Sequence, residues 1–336
     1  MVLNQMGIMY WGENLLDDSL IFNEKEEEPK EKTYKILFTG LDGAGKTSII
    51  LALQREFSKI ALIEPTRGAQ RTSFKLLGKQ ITEWDLGGQK SYLVSYLENP
   101  SKYFDDTEIA IYVIDILDAS RFKESLSYLY DVVDKFKELN IEPYINIFFH
   151  KYDPKLIHNV EKQIKSEILA LNKDIVKRVN YEKLQFFTTS IYNPYTIMNA
   201  MSKILLNLYP KSELLQKTIE KFAKKLDCEG LLITDKNSII LGSCFKDNES
   251  KKLLSSTIAY FLTLNDVFED MGMDQQEDQI VVKKMGKYFL FKPVTLKEKA
   301  LPYYMLVLKS HDPMGIYYIN KDFDAFAHMF NNLIKS

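Results

Sequence analysis

Gly40-Leu41-Asp42-Gly43-Ala44-Gly45-Lys46-Thr47-Ser48 is the stretch from which the rest of the chain is best understood. An apolar run, Ile36-Leu37-Phe38, leads into it, and a helix-like stretch, Ser48-Ile49-Ile50-Leu51-Ala52-Leu53, leads out. Strand, glycine loop and helix start in that order give the pattern G-x-x-x-x-G-K-[ST] its physical context. The glycines let the backbone curl until several N–H groups point at one anion. The helix N-terminus adds about half a positive charge at the same place. Lys46 is spaced to reach the β- and γ-phosphates of a nucleotide, and the Thr47 hydroxyl to hold Mg²⁺. Gly40, Asp42, Gly43, Ala44, Gly45, Lys46, Thr47 and Ser48 are therefore the expected phosphate-binding residues. The loop alone leaves the identity of the nucleotide open.

Working outward, the 336 residues are enough for two hydrophobic cores. A net charge of −2 gives no basic excess that would point to nucleic acid. The two cysteines, Cys228 and Cys244, lack C-x-x-C spacing, which argues against a disulfide framework or structural zinc and fits a reducing cytosol. No stretch reaches about 18 apolar residues without a charge, so no transmembrane helix is expected. Residues 1–32 divide into an apolar-rich opening, Met1 to Phe22, and a charged linker from Glu24 to Lys32 around Pro29. The first basic residue is Lys25, unlike a secretory signal, and Val2 excludes N-myristoylation. This opening lacks the basic face of a membrane-lying helix, and the plainer expectation is that it packs on its own domain or frays. Membrane contact is then at most indirect or through this segment.

From Thr33 onward short apolar runs alternate with helical patterns. The expected strands are Lys35–Thr39, Ser73–Leu77, Gln80–Trp84, Ile109–Ile114, Tyr144–Phe149 and Leu184–Thr188. Ile109-Ala110-Ile111-Tyr112-Val113-Ile114 is apolar throughout, as a parallel strand covered on both faces should be. The alternation predicts a doubly wound, mostly parallel α/β domain with its ligand at the carboxyl ends of the strands.

The strand ends carry the chemistry. Trp84-Asp85-Leu86-Gly87-Gly88-Gln89 offers Asp85 as a second Mg²⁺ anchor through water, the Gly88 N–H to a γ-phosphate, and Gln89 to orient an attacking water. In Glu64-Pro65-Thr66-Arg67-Gly68, Thr66 sits on a loop able to close over the metal and the γ-phosphate. Gln89, Lys46 and Thr66 are thus the expected catalytic residues, and Thr47, Thr66 and Asp85 the metal set. In His150-Lys151-Tyr152-Asp153, Asp153 can accept from both N1–H and N2–H₂ of guanine, a donor pair that adenine lacks. The Lys151 stem can lie along the base, and backbone N–H groups at Ser190 and Ile191 can meet O6. The stations in this order point to GTP and GDP. Arg67 and Arg71 are weighed as cations acting in cis.

Gly40 to Thr47, Pro65-Thr66 and Trp84 to Gln89 resemble the loops of Arf-type and Rag/Gtr-type small GTPases, which carry a P-loop G domain. A histidine at 150, the length between Gln89 and Ile111, and Leu184-Gln185-Phe186-Phe187-Thr188-Thr189-Ser190-Ile191-Tyr192 followed by a helix to Tyr209-Pro210 resemble the Rag pattern. Pro65-Thr66-Arg67-Gly68 is more similar to Arf. The resemblance implies slow GTP hydrolysis stimulated by GTPase-activating partners, exchange proteins, Mg²⁺ as cofactor, and a cytoplasmic location with recruitment to membranes through partners.

After Pro210 the pattern changes to helix–β–β–helix–β–β–β–helix. The stripe Leu214, Leu215, Ile219 and Phe222 opens it; strands follow at Gly230–Thr234, Ser238–Leu241, Gln279–Lys284, Tyr288–Lys292 and Tyr303–Leu308. One helix is expected through Leu254, Ile258, Phe261 and Leu262, and another through Phe323, Phe326, Phe330 and Leu333. This α+β order resembles a roadblock (profilin-like) domain, which implies homo- or heterodimerisation with other roadblock or longin proteins. The chain divides accordingly into residues 1–32, a G domain at 33–210 and a roadblock-like domain at 211–336. Two rival functions stay open: a nucleotide-holding scaffold with little hydrolysis, and a P-loop ATPase or kinase, which would need no Asp153.

Overall fold

The structure, a computed structural model, describes residues 33–76, 79–157, 160–272, 279–294, 303–310 and 316–335. The N-terminal segment and linker expected over 1–32, and the strand end expected at Leu77, lie outside the described residues. Chain order begins β1 (Thr33–Thr39), α1 (Lys46–Leu53), α2 (Phe57–Ile60), β2 (Ala69–Leu76), β3 (Lys79–Leu86), α3 (Lys90–Glu98) and α4 (Pro100–Tyr103). It continues with β4 (Thr107–Asp115), α5 (Phe122–Glu138), β5 (Tyr144–His150), α6 (Pro154–Ile157), α7 (Glu161–Val179), β6 (Leu184–Thr188) and α8 (Pro194–Leu206). The sheet order is β2-β3-β1-β4-β5-β6. All neighbours are parallel except β2, which runs antiparallel to β3.

Why β4 sits centrally is clear from its residues. Ile109, Ile111 and Val113 pack with Ile36, Phe38, Ile49 and Ile204 on one side, while Ala110, Tyr112 and Ile114 pack with Leu129, Phe136 and Ile175 on the other. A strand apolar at every position needs both faces covered, and α1 with α8, and α5 with α7, supply the covers. In α5, Ser125, Tyr128, Leu129, Val132, Val133 and Phe136 form the buried stripe at three- and four-residue spacing. The loops after β1, β3, β5 and β6 consequently leave the carboxyl ends of parallel strands at one end of the sheet, and the loop bearing Thr66 enters the antiparallel β2 at that same end.

The second half comprises α9 (Ser212–Leu226), β7 (Gly230–Asp235), β8 (Ile240–Phe245), α10 (Asn248–Ser256), α11 (Ile258–Asp270), β9 (Ile280–Lys284), β10 (Lys287–Pro293), β11 (Tyr303–Lys309) and α12 (Ile316–Lys335). Its sheet, β8-β7-β11-β10-β9, is antiparallel throughout. Gly230 lies under Leu254 of α10, and Gly242, paired with Ile233, lies under Ile219 of α9. Positions 230 and 233 have opposite parity, so the two helices take opposite faces. The single helix expected through Leu254 and Leu262 is two. Thr257 breaks it, its hydroxyl donating to Leu254 O at 2.7 Å and its N–H to the same oxygen at 3.1 Å. Residues Thr33–Ser336 form one compact unit. The core runs from α1 and α8 into the second sheet, with Ile240 N donating to Ser202 Oγ at 2.7 Å.

Candidate functional site

Lys46, Thr47 and Ser48 open α1, directly after the glycine loop. Lys46 is buried, and its ammonium donates to the carbonyls of Gly40 at 2.9 Å and Leu41 at 2.8 Å. Burial lowers its pKa to about 8, against the opposing pull of Asp85 and Asp42. A cation curled onto its own loop carbonyls is held at the centre of the loop, where an anion would draw it.

Three elements converge beside it. Thr47 Oγ1 donates to Asp85 Oδ2 at 2.6 Å and lies 2.8 Å from Thr66 Oγ1, which itself reaches Asp85 Oδ2 at 3.3 Å. Asp85 Oδ1 is buried with no hydrogen-bond partner, and burial raises the pKa of this carboxyl against the hydroxyl of Thr47, the ammonium of Lys46 and Thr66. The loop bearing Thr66 is pinned to β3, since Gly87 N donates to Gly68 O at 2.9 Å and a side chain at 87 would sit 2.4 Å from Thr66 O.

Gly88 lies against the phosphate loop: its carbonyl accepts from Asp42 N at 3.0 Å, and a Cβ there would fall 2.2 Å from that nitrogen. Only glycine permits such an approach. Gln89 is the N-cap of α3 and makes no side-chain bond to that helix. A cavity of about 370 Å³ is bounded by Gly43, Lys46, Thr47, Thr66, Gly88 and Gln89 among others. Lys46, Thr47, Thr66, Gly88 and Gln89 therefore share one space, whereas Gly40, Ala44 and Asp85 do not line it.

The base-side residues stand together in a second group. His150 is fully buried at the end of β5; its Nδ1 is 2.9 Å from Thr189 Oγ1, and burial lowers its pKa to about 3, so it is neutral. Its ring fills the space beside Gly45, where a Cβ would lie 2.4 Å from His150 Cδ2. Gly45 has φ +98°, a conformation that suits glycine. The histidine thus ties the loop after β5 to the glycine loop by contact and to Thr189, the residue after β6, by a hydrogen bond. Ser190 Oγ donates to the buried Asp153 Oδ1, and Tyr152 N donates to Thr189 O at 3.0 Å. Ile191 is half-buried next to Ser190. Asp153, Ser190 and Ile191 do not line the 370 Å³ cavity.

Lys151 pairs with Asp115, Nζ to Oδ2 at 2.6 Å, and both bound a smaller cavity of about 240 Å³ against Leu41 to Ala44. Asp115 was not singled out in the sequence, although an acidic residue ending β4 gives the same signal as Asp85 ending β3. Ile63 and Glu64, which line the larger cavity, carry no motif signal. Arg71 stacks on Trp84, 3.5 Å from the ring centroid, and neither it nor the exposed Arg67 lines the larger cavity.

A glycine loop after β1, a carboxylate–hydroxyl cluster at the end of β3 and a sheet wound on both faces define a P-loop α/β domain. The Gtr1/RagA G protein conserved region matches residues 35–263, and the chain belongs to that family. It is 26% identical over 221 residues to Ras-related GTP-binding protein A of Dictyostelium discoideum, covering 62% of this chain and 68% of the relative. It is 40% identical over 124 residues to ADP-ribosylation factor-like protein 3 of Chlamydomonas reinhardtii, covering 37% of this chain and 66% of that protein. The match to ADP-ribosylation factor-like protein alp41 of Schizosaccharomyces pombe is 36% over 109 residues, 32% of this chain and 55% of alp41. The chain thus spans less than two thirds of these Arf-like relatives. Among solved structures, the Arl6 BBS3 small GTPase of Trypanosoma brucei with bound GppNp is 20% identical, covering 52% of this chain and 97% of that one at a TM-score of 0.40. The likeness to Rag/Gtr and Arf-type proteins read from the motifs is present in both sets of relatives.

Proposed function

We propose that the chain is a GTP-binding and GTP-hydrolysing switch that assembles through its C-terminal domain. The observation that carries this is the meeting of Thr47, Thr66 and Asp85, from a helix start, a loop and a strand end, around a buried carboxylate oxygen without a partner. Hard oxygen donors suit Mg²⁺, and no cluster of three or more His, Cys, Asp or Glu occurs among the described residues. One carboxylate and two hydroxyls leave room for phosphate and water ligands, as Mg²⁺ prefers. Bound there, Mg²⁺ would neutralise charge on the β- and γ-phosphates.

The chain's own groups do the rest. The N–H groups of Gly43 and of residues 45–48, with the Lys46 ammonium, hold the phosphates, and the Gly88 N–H meets the γ-phosphate. Gln89 orients a water in line with it. Asp153, its carboxylate fixed by Ser190, accepts the two guanine donors, and Lys151 lies along the base. Thr66 and Gln89 take up their places while the γ-phosphate is present and let go when it leaves. No arginine lies on the larger cavity, so turnover is slow until a GTPase-activating partner supplies about 10³–10⁵ in rate. Exchange proteins reset the switch.

In the proposed division into a G domain at 33–210 and a roadblock-like domain at 211–336, α11 shows an outward apolar row. Tyr260 is 61% exposed and Met271 65%, with Val267 and Phe268 between them. The edge strand β9 separately exposes Val281, on the sheet face opposite α11. An apolar helix row with an open strand edge supports pairing with a second roadblock-like domain, in a homo- or heterodimer. No helix among the described residues is long and apolar enough to cross a membrane. The proposed place of work is the cytoplasm, with any membrane contact made through partners or the N-terminal segment.

Following [γ-³²P]GTP over hours tests the chemistry. Gln89→Leu should lose most hydrolysis and keep its GTP affinity; hydrolysis at the parental rate would remove the water-orienting role, whereas a parent that binds GTP and hydrolyses none would favour a scaffold.

A further inference from the structure

Asp42 is an awkward residue for the crest of a phosphate loop. Asp42 bounds both the larger cavity, where phosphates would sit, and the smaller one beyond the loop. A carboxylate so placed repels a polyphosphate unless its charge is compensated or turned aside.

Arg121 does both. It ends a short 3-10 turn, Ala119–Arg121, that carries the chain from β4 into α5. Its Nη2 donates to Asp42 Oδ1 at 2.7 Å, its Nη1 to Asp42 O at 3.1 Å, and its Nε to Glu124 Oε2 at 3.1 Å. Two donors of one planar fork thus grip the side chain and the backbone of the same residue, a geometry that lysine cannot reproduce. Arg121 bounds only the smaller cavity. The anchored carboxylate oxygen and the Asp42 carbonyl are therefore both held by the guanidinium that opens α5.

We infer that Arg121 is a positioning residue for nucleotide binding: it neutralises Asp42 and orients the crest of the phosphate loop for the anion. This rests on the reading of the chain as a GTP-binding protein. Arg121 acts through Asp42 and has no contact with the metal cluster.

The test is a mutant cycle read by dissociation of a fluorescent GTP analogue from the full chain in Mg²⁺. Arg121→Ala should weaken retention about tenfold, equivalent to about 1.4 kcal/mol. Arg121→Ala with Asp42→Asn should recover most of that loss, because the uncompensated charge is gone. The loss should also shrink as salt is raised, since the pair is partly exposed. If Arg121→Ala has lost its thermal transition, Arg121→Gln, which keeps two donors and most of the bulk, replaces it in the cycle with the same expectation. A double variant as weak as the single one would mean a bracing role without charge and would overturn the inference. So would retention in Arg121→Ala equal to the parent's. If the parent itself retains no GTP analogue, the functional reading falls and the inference with it.

Discussion

Substituting Gly45 by Ala isolates the contact that holds the base loop against the phosphate loop. Two penalties are expected. The backbone at φ +98° resists a β-carbon, which costs about 1–2 kcal/mol. The new methyl would also sit 2.4 Å from His150 Cδ2 and 2.8 Å from Nε2, so the ring must move. Moving it strains or breaks the 2.9 Å bond to Thr189 and leaves polar atoms buried, about 1–3 kcal/mol more. Together the loss is about 2–5 kcal/mol in urea denaturation. Gly43→Ala is the internal control, because φ is +69° there but nothing lies within 4 Å of the added methyl, so only the backbone penalty of about 1–2 kcal/mol applies. His150→Ala made in the Gly45→Ala background should relieve the clash and give a coupling of about 2 kcal/mol in the double-mutant cycle. GTP retention should follow the same order, since His150 begins the loop that carries Lys151 and Asp153. Equal losses for Gly45→Ala and Gly43→Ala, or an additive cycle, would refute the idea that His150 carries the link.

Glu83, two residues before Asp85, is buried, and burial raises its pKa from 4.5 to about 7. A carboxyl with a raised folded-state pKa makes the fold lose stability as pH climbs from about 4.5 to 7. Glu83→Gln should thus gain up to about 3 kcal/mol at pH 8 and nothing at pH 4; a gain independent of pH would contradict the assignment. Burial likewise raises Asp85, whose ionised form is the one that would hold Mg²⁺. Mg²⁺-dependent nucleotide retention should weaken as pH falls and be lost on chelation, and Asp85→Asn should abolish both dependences; an unchanged pH profile in that variant would remove Asp85 from the metal set.

The legibility of the sequence varied with the physics behind each feature. Local chemistry was plain: the glycine loop, the acidic exit of β3 and the all-apolar β4 each demand their residues within a few positions. Contacts between distant segments were not. Nothing near His150 says that its ring will fill the space beside Gly45, and nothing near Arg121 says that it will grip Asp42. The break at Thr257 was hidden because the apolar stripe runs on through Leu254, Ile258 and Phe261, whereas the hydroxyl bond that ends α10 leaves no periodic trace. Arg71 looked free on paper and is held by Trp84, its neighbour across the β2–β3 ladder.

The most direct measurement is competition between GTP and ATP for the full chain in Mg²⁺, for the parent and for Asp153→Ala. A buried carboxylate left unpaired by adenine should give the parent a preference for GTP of at least about a hundredfold, and Asp153→Ala should lose most of it. Equal affinity for the two nucleotides in the parent, or an undiminished preference in Asp153→Ala, would contradict guanine recognition at this site.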